Sequence, residues 1–431
     1  MNLFAVVASA LLALVYAWTV YNLPILVAGI RSHLREKGSE GRPSKIGVVP
    51  EEQLPLFSVL IAAKNEEKVL PRLLNSLLNQ NYPEDKVEII VVEDGSTDST
   101  VDVCRKYAVE KGEGLRVFSG GSSMGKPSAL NQALKAARGD IVAVFDADNV
   151  PEVDTLRNAA EHFLDESVVA LQGRTLTINS DVNMLTKFVS QEESIWFEAY
   201  IKGKDALKLF VHLKGSCQFI RREALLSLGG WREGHLSEDM EISARLTREG
   251  HEIKYASNVR SWQESPQSVT QMFRQRARWY RGSMEVALKY GRLIRKPSWK
   301  TLDAEATFLG PFILIISLLS YIIGPLALSN AGESMLFVLT LAGWSVLTAS
   351  LIVGAMALFY IAKPKGKRDL LWLPFIYAYW GFQVFLATWA LLGIIFRVPW
   401  KWKKTTKTGT VKSIAPALPA GVAEKNVAGS S

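Results

Sequence analysis

The sequence predicts an α/β domain on a mostly parallel sheet, flanked by membrane-spanning helices. Apolar strands alternate with helices through the middle of the chain, several of those strands end in acidic residues, and long apolar stretches lie on either side.

The first apolar stretch is Met1–Ile30. Three more follow, at about Ala304–Ser329, Met335–Ala362 and Leu370–Phe396. Each is long enough for a hydrocarbon core of about 30 Å, which takes about 20 helical residues. The first run is too long for a signal peptide, lacks a basic leader and ends in no small-x-small site, so a retained anchor is expected.

The formal charge of +8 is concentrated at the ends of these stretches. Arg31, Arg35 and Lys37 follow the first; Arg292, Arg295, Lys296 and Lys300 precede the second. "KPKGKR" divides the third from the fourth and "KWKKTTK" follows the fourth, while the "NAGE" loop between the second and third carries no Lys or Arg. The positive-inside rule then places the region from Arg31 to Asp303 in the cytosol, within a protein integral to the cell membrane. One conflict arises: if the fourth stretch crosses, the basic tail ends outside. Pro374 and Gly381 could instead bend that stretch into a re-entrant or interfacial segment. Because the basic clusters follow the bilayer boundaries, the bilayer is the expected partner and nucleic acid is not. Two cysteines, Cys104 and Cys217, make no disulfide framework and suit a reduced compartment.

Within the polar region, "FSVLIAA" (Phe57–Ala63) reads as a buried strand, and "EEKVLPRLLNSLLNQ" carries leucines at helical spacing. "VEIIVVE" (Val87–Glu93) is a second strand, ending in the turn and cap cluster "DGSTDS". "LRVF", the helix Ser128–Ala137 and the strand "DIVAVF" follow. Past Val150 the pattern is less regular. "VVALQGRTLTI" and "HEIKYAS" read as strands, Asp181–Leu209 and Asp239–Glu249 as helical, and "GSCQFIRREALLSLGG" as strand then helix. Ser268–Tyr290 is amphipathic and basic, suited to a membrane surface. The tail after Lys407 is small and polar, with the composition of a disordered segment.

Ligands of such sheets bind at the carboxyl ends of the strands. Asp94, Asp146 and Asp148 all stand there. The last two, at i and i+2, leave a strand on the same side and can share a hard divalent cation through oxygen. A solvated, helix-capping turn is the plainer account of a lone DxD. "GGSSMGKPS" (Gly120–Ser128) approaches a nucleotide-binding P-loop, which makes an ATPase a rival, but Pro127 stands where a metal-binding hydroxyl belongs. Lys126 could still neutralise a diphosphate. Glu238-Asp239 in "HLSEDMEIS" suits either a helix N-terminus or a general base. "QRARWYRG" (Gln275–Gly282) suits either a basic surface helix or an arginine and tryptophan pair that meets phosphate and a sugar face.

Taken in order, these pieces resemble the membrane-bound family-2 glycosyltransferases: the hyaluronan, chitin, cellulose and poly-N-acetylglucosamine synthases. The matching stretches are "VVEDGSTD", "GKPSALNQAL", "DAD", Gly-Ser-Cys, "SED" and "QRARW", from about Phe57 to Gly282. The resemblance implies a GT-A catalytic fold, Rossmann-like, with a cytosolic catalytic domain. It implies inverting transfer from a nucleoside-diphosphate sugar, first of all a UDP-sugar, with Mg²⁺ or Mn²⁺. Asp239 resembles the catalytic base, with Glu238 beside it. Ala63, Glu93, Asp94, Lys126, Asp146, Asp148, Gln275, Arg276 and Arg278 correspond to the nucleotide-sugar contacts, Asp146 and Asp148 also to the metal pair. Gly215, Ser216, Cys217 and Trp279 correspond to the acceptor side. Glu93 replaces a more usual Asp, which leaves open whether it or Asp94 reads the base, and Ser237 stands where Thr is common. The acceptor is a saccharide or a lipid-linked sugar, so processive synthesis and single addition both stay open. So do a homo-oligomer and, as a rival of another class, a non-catalytic membrane scaffold.

The implied layout is an anchor over 1–30, a linker over 31–54, the catalytic domain over 55–265 and interfacial helices carrying "QRARW" over 266–303. About three membrane helices then occupy 304–398, and a basic, then disordered tail occupies 399–431.

Overall fold

A computed structural model describes residues 3–37, 50–120, 124–290, 298–328, 334–361, 373–399 and 407–409. The "NAGE" and "KPKGKR" loops, Arg292, Arg295 and Lys296, half of the 31–54 linker and most of the tail lie outside the described residues.

In chain order the elements are α1 (Leu3–Lys37), β1 (Phe57–Ala63), α2 (Leu70–Leu78), β2 (Val87–Glu93), α3 (Thr100–Lys111), β3 (Leu115–Ser119), α4 (Lys126–Ala136), β4 (Ile141–Val144), β5 (Val150–Pro151), α5 (Thr155–Phe163), β6 (Val168–Thr177) and α6 (Met184–Ile195). A π-helical turn (Trp196–Ile201) leads into α7 (Lys202–Ala206). Then come β7 (Gln218–Arg221), α8 (Arg222–Ser227), α9 (Glu238–Arg248), β8 (Glu252–Gln263), α10 (Val269–Tyr290), α11 (Trp299–Leu328), α12 (Ser334–Tyr360) and α13 (Leu373–Ile395).

The chain forms two compact units. One holds residues 41–193, 211–267 and 405–431; the other holds 1–40, 194–210 and 268–404.

The first unit is built on one sheet, in the order β3-β2-β1-β4-β7-β6-β8-β5. β1 pairs in parallel with β2 and β4, β2 with β3, and β6 with β8. β7 runs against both β4 and β6, and β5 against β8. Six strands therefore share one direction, and the expected mostly parallel sheet is present. β4 is buried along its length and β1 nearly so, which is why both read as unbroken apolar runs. α2 covers the sheet with Leu70, Leu73, Leu74 and Leu77, one stripe at helical spacing.

Two features of this topology place the site. After β3 the chain returns to the far side of β1 to form β4, and the order reverses there. Such a reversal opens a crevice beyond the carboxyl ends of the strands. β7 runs backwards, so its start lies beside the end of β4: Val144 is paired with Gln218. The residues just before β7 thereby reach the residues just after β4.

In the second unit, among the described residues, three helices contain segments long and apolar enough to cross a membrane: Val6–Lys37, Trp299–Ser320 and Pro374–Ile395. The other expected stretch forms α12, in which Leu351–Tyr360 is a shorter apolar helix among the described residues. α1 continues through Arg31 to Lys37, without a break at Ile30.

A buried polar cluster ties this unit together. Lys204, fully buried, donates to both carboxylate oxygens of Asp303 at 3.0 Å and to Thr307 at 2.5 Å. Asp303 also accepts from the Tyr21 hydroxyl at 2.5 Å and from the Phe210 amide at 2.7 Å. Lys202 pairs with Glu36 and, at 3.0 Å, with Glu198, which is 2.6 Å from His33 Nδ1. Thus 194–210, read from sequence as part of the catalytic domain, is joined to α1 and α11.

Candidate active site

The site is assembled at the carboxyl ends of β1, β2 and β4. Ala63 and Glu93 end β1 and β2 as register partners. The Asp94 amide donates to the Ala63 carbonyl at 2.8 Å, and the Asp94 carboxylate accepts from the Met124 and Gly125 amides at 2.6 and 3.0 Å. Asp94 thus holds the end of the glycine-rich loop where α4 begins. Glu93 turns its carboxylate to the Ser96 amide.

Lys126 opens α4, with Pro127 in the first turn where a missing N–H costs nothing. Its ammonium is the hub of the site. Nζ lies 2.7 Å from Asp146 Oδ1, 2.9 Å from Glu238 Oε1 and 2.8 Å from the Gly215 carbonyl. Burial works against this charge, but Asp146 and Glu238 outweigh it and raise the Lys126 pKa above its ordinary value.

The loop before β7 closes the other side. Ser216 Oγ accepts from the Asp146 amide at 2.9 Å. Gln172 and Gln218, both buried in strands, receive the Lys214 and Gly215 amides at 2.7 and 3.1 Å. Gly215 has φ +78°, and a Cβ there would stand 3.2 Å from Asp239 Oδ2 and 3.3 Å from Lys126 Nζ. Asp239 and Lys126 thus both border the space beside the Gly215 backbone. Asp239 and Glu238 lie in the first turn of α9, where the helix dipole favours carboxylates.

Asp148 is buried behind Asp146. Its carboxylate stands 2.6 Å from Lys407 Nζ, and its carbonyl 3.5 Å from Arg72, which also meets Glu264 at 3.0 Å. Burial alone would raise the Asp148 pKa; Lys407, and then Arg72, reverse that and hold it below its ordinary value. Asp148 Oδ2 is buried, with the Lys407 ammonium as its ion-pair partner. Among the described residues no cluster of three or more His, Cys, Asp or Glu side chains could hold a metal alone. Two neighbouring carboxylates nevertheless suit a divalent ion that takes its remaining ligands from phosphate oxygens and water.

The structure therefore brings together Asp94, Lys126, Asp146, Asp148, Gly215, Ser216, Glu238 and Asp239, with Ala63 and Glu93 at the adjoining strand ends. Cys217, expected on the acceptor side, has φ +49° and is fully buried, its thiol 3.9 Å from the Val259 carbonyl and close against Gly173. Burial pushes its pKa well above the ordinary thiol range. Gln275, Arg276, Arg278 and Trp279 belong to α10 in the other unit, where the Arg276 guanidinium lies 4.5 Å from the Trp279 ring centre. Sequence reasoning missed Arg72, Gln172, Gln218, Glu264 and Lys407. The glutamines were visible as polar residues inside apolar strands; the other three are joined only by folding.

Residues 55–282 match the family model "Glycosyltransferase like family 2". The chain is 32% identical over 295 residues to the probable glycosyltransferase YdaM of Bacillus subtilis, covering 65% of this chain and 66% of that one. It is 35% identical over 268 residues to a beta-monoglucosyldiacylglycerol synthase of Nostoc sp., covering 61% and 56%. A poly-beta-1,6-N-acetyl-D-glucosamine synthase of Staphylococcus epidermidis is 27% identical over 238 residues, covering 55% and 57%. The chain thus spans between 56% and 66% of the length of these relatives. Among solved structures, the mannosyltransferase PcManGT of Pyrobaculum calidifontis, in complex with GDP-Man and Mn²⁺, superposes with a TM-score of 0.58 at 21% identity, over 92% of this chain and 100% of that one. The sheet, the convergence at its switch point and a family match over more than half the sequence lead to one conclusion: the chain belongs to glycosyltransferase family 2, with a catalytic domain of the GT-A fold beside helices long and apolar enough for a membrane.

Proposed function

We propose that this protein is an inverting, metal-dependent glycosyltransferase that moves a sugar from a nucleoside-diphosphate donor to an acceptor at the membrane. One observation supports the reading above all: Lys126 holds Asp146, Glu238 and the Gly215 carbonyl together, and Asp239 Oδ2 and Lys126 Nζ stand 3.2 and 3.3 Å from where a Gly215 Cβ would be. In this reading Lys126 is the cation for the diphosphate, Asp146 and Asp148 are the carboxylate pair for a metal, and Asp239 is the separate carboxylate for a proton.

In this reading Asp239 takes the proton from the acceptor hydroxyl, which attacks the anomeric carbon opposite the leaving diphosphate. Charge develops on the anomeric carbon in an oxocarbenium-like transition state and on the departing phosphate oxygens. Lys126 neutralises part of the latter. A Mg²⁺ or Mn²⁺ ion held by Asp146 and Asp148 would add positive charge there. Asp94 fixes the loop that carries Lys126, and Ala63 and Glu93 border the nucleoside side. Gln275, Arg276, Arg278 and Trp279 keep the roles that the family resemblance implies, toward the diphosphate and the acceptor. The basic residues next to the apolar helices favour a cytosolic catalytic domain.

The acceptor has two forms. Similarity to synthases of poly-N-acetylglucosamine supports repeated addition. The higher identity to synthases of monoglucosyldiacylglycerol supports a single addition to a lipid. The test is a panel of labelled UDP- and GDP-sugars with Mn²⁺ on membranes containing the full chain, with the products sized. Release of nucleoside diphosphate with a labelled glycolipid or polymer is expected. ATP turnover without any sugar nucleotide would favour the ATPase rival.

A further inference from the structure

We infer that Lys407-Thr408-Gly409 is part of the donor site: a strap whose ammonium holds the Asp148 carboxylate until a divalent cation replaces it, which puts these three residues on the catalytic side of the membrane. The cation half of this inference rests on the proposed donor reading of Asp148; the sidedness half does not.

The receptor for these three residues is built into the catalytic unit. Lys407 Nζ lies 2.6 Å from Asp148 Oδ2 and donates at 2.6 Å to the Glu264 carbonyl. Both side chains of the ion pair are at most 15% exposed. Glu264, just past β8, is buried, and its carboxylate accepts from the Thr408 amide at 2.9 Å, the Thr408 hydroxyl at 3.2 Å and the Gly409 amide at 3.1 Å. Arg72 braces it at 3.0 Å. Gln267 Nε2 donates to the Thr408 hydroxyl at 3.2 Å. Gly409 has φ +65°, and a Cβ there would fall 2.7 Å from the Lys68 carbonyl, so only glycine passes. Each residue of the tripeptide therefore meets its own feature: an acid, a buried carboxylate and a close backbone.

Two consequences follow. An ammonium and a divalent cation cannot share one carboxylate oxygen without strong repulsion, so they are alternative occupants of Asp148. By reciprocity, whatever the ammonium gains there the metal must overcome. The chain also leaves the sheet at Gln267 and returns to it at Lys407, so it crosses the membrane an even number of times between. An even number of α11, α12 and α13 then cross, and Lys407 stays on the catalytic side.

Two measurements test this. With Cys104 and Cys217 buried, Lys412→Cys and Glu113→Cys are labelled separately with an impermeant maleimide in sealed vesicles of known orientation. The two should react from the same side; reaction from opposite sides overturns the inference. Mn²⁺ binding to the purified full chain without nucleotide is then followed by electron paramagnetic resonance. Lys407→Ala should bind Mn²⁺ about fivefold or more tightly than the parent, the scale of a modest coupling between two ligands. Unchanged or weaker binding overturns the strap. Binding that survives Asp148→Asn overturns the metal reading of the site instead, and the labelling result then decides the strap alone.

Discussion

Single residues separate the roles of the acids. Asp146 is paired with Lys126 at 2.7 Å, while Asp239 opens α9 with its carboxylate beside Gly215. Asp239→Asn should therefore keep donor and Mn²⁺ binding, measured by calorimetry, and lose transfer by roughly a hundredfold to ten-thousandfold, the span of general-base catalysis. Loss of binding in parallel with transfer would remove Asp239 from the base role. The cysteines give a pH prediction. Burial pushes Cys104 up to about 12 and Cys217 further. A thiol whose folded pKa exceeds its unfolded one, about 8.5, holds its proton more tightly when folded. Its contribution to stability is complete below that unfolded value and is lost as pH rises toward the folded one. Neither thiol should react with iodoacetamide at pH 8 until the protein is unfolded, and the denaturation midpoint should fall between pH 8.5 and 10.

At the scale of elements, the buried Lys204–Asp303 pair marks where 194–210 is attached. Removing one member leaves the other charge buried and uncompensated. Asp303→Ala is expected to cost about 3–5 kcal/mol, read as a lower melting temperature in detergent, while Lys204→Met with Asp303→Leu should recover much of it. The helix α10 supplies another test. Trp279→Ala should reduce transfer to acceptor several-fold more than donor binding, read as a split between kcat and donor KM. An equal effect on both would return the motif to a plain surface helix. Most elements were legible because each obeys a local rule. The apolar runs at Phe57–Ala63 and Val87–Glu93 form strands over those same residues, and the leucines of α2 form its buried stripe. The strand expected at "HEIKYAS" continues to Gln263, since pairing with β6 extends it past the apolar signal. The π-helical turn inside the expected helix over 181–209 had no local signature.

For the molecule as a whole, the sequence by itself determined the α/β class, the catalytic carboxylates as candidates and the apolar helices. Periodicity, strand-end acids and hydropathy are properties of short windows and survive without knowledge of the fold. Tertiary structure decided the rest. It set the reversal between β1 and β4 and ran β7 backwards, which carried Gly215 and Ser216 to Asp146. It attached 194–210 to the membrane unit, turned the Cys217 thiol into the core and seated Lys407 on Asp148. These are contacts between residues far apart in the chain, fixed by strand order and by the need of each buried charge for a partner, and no window of sequence contains both ends of them.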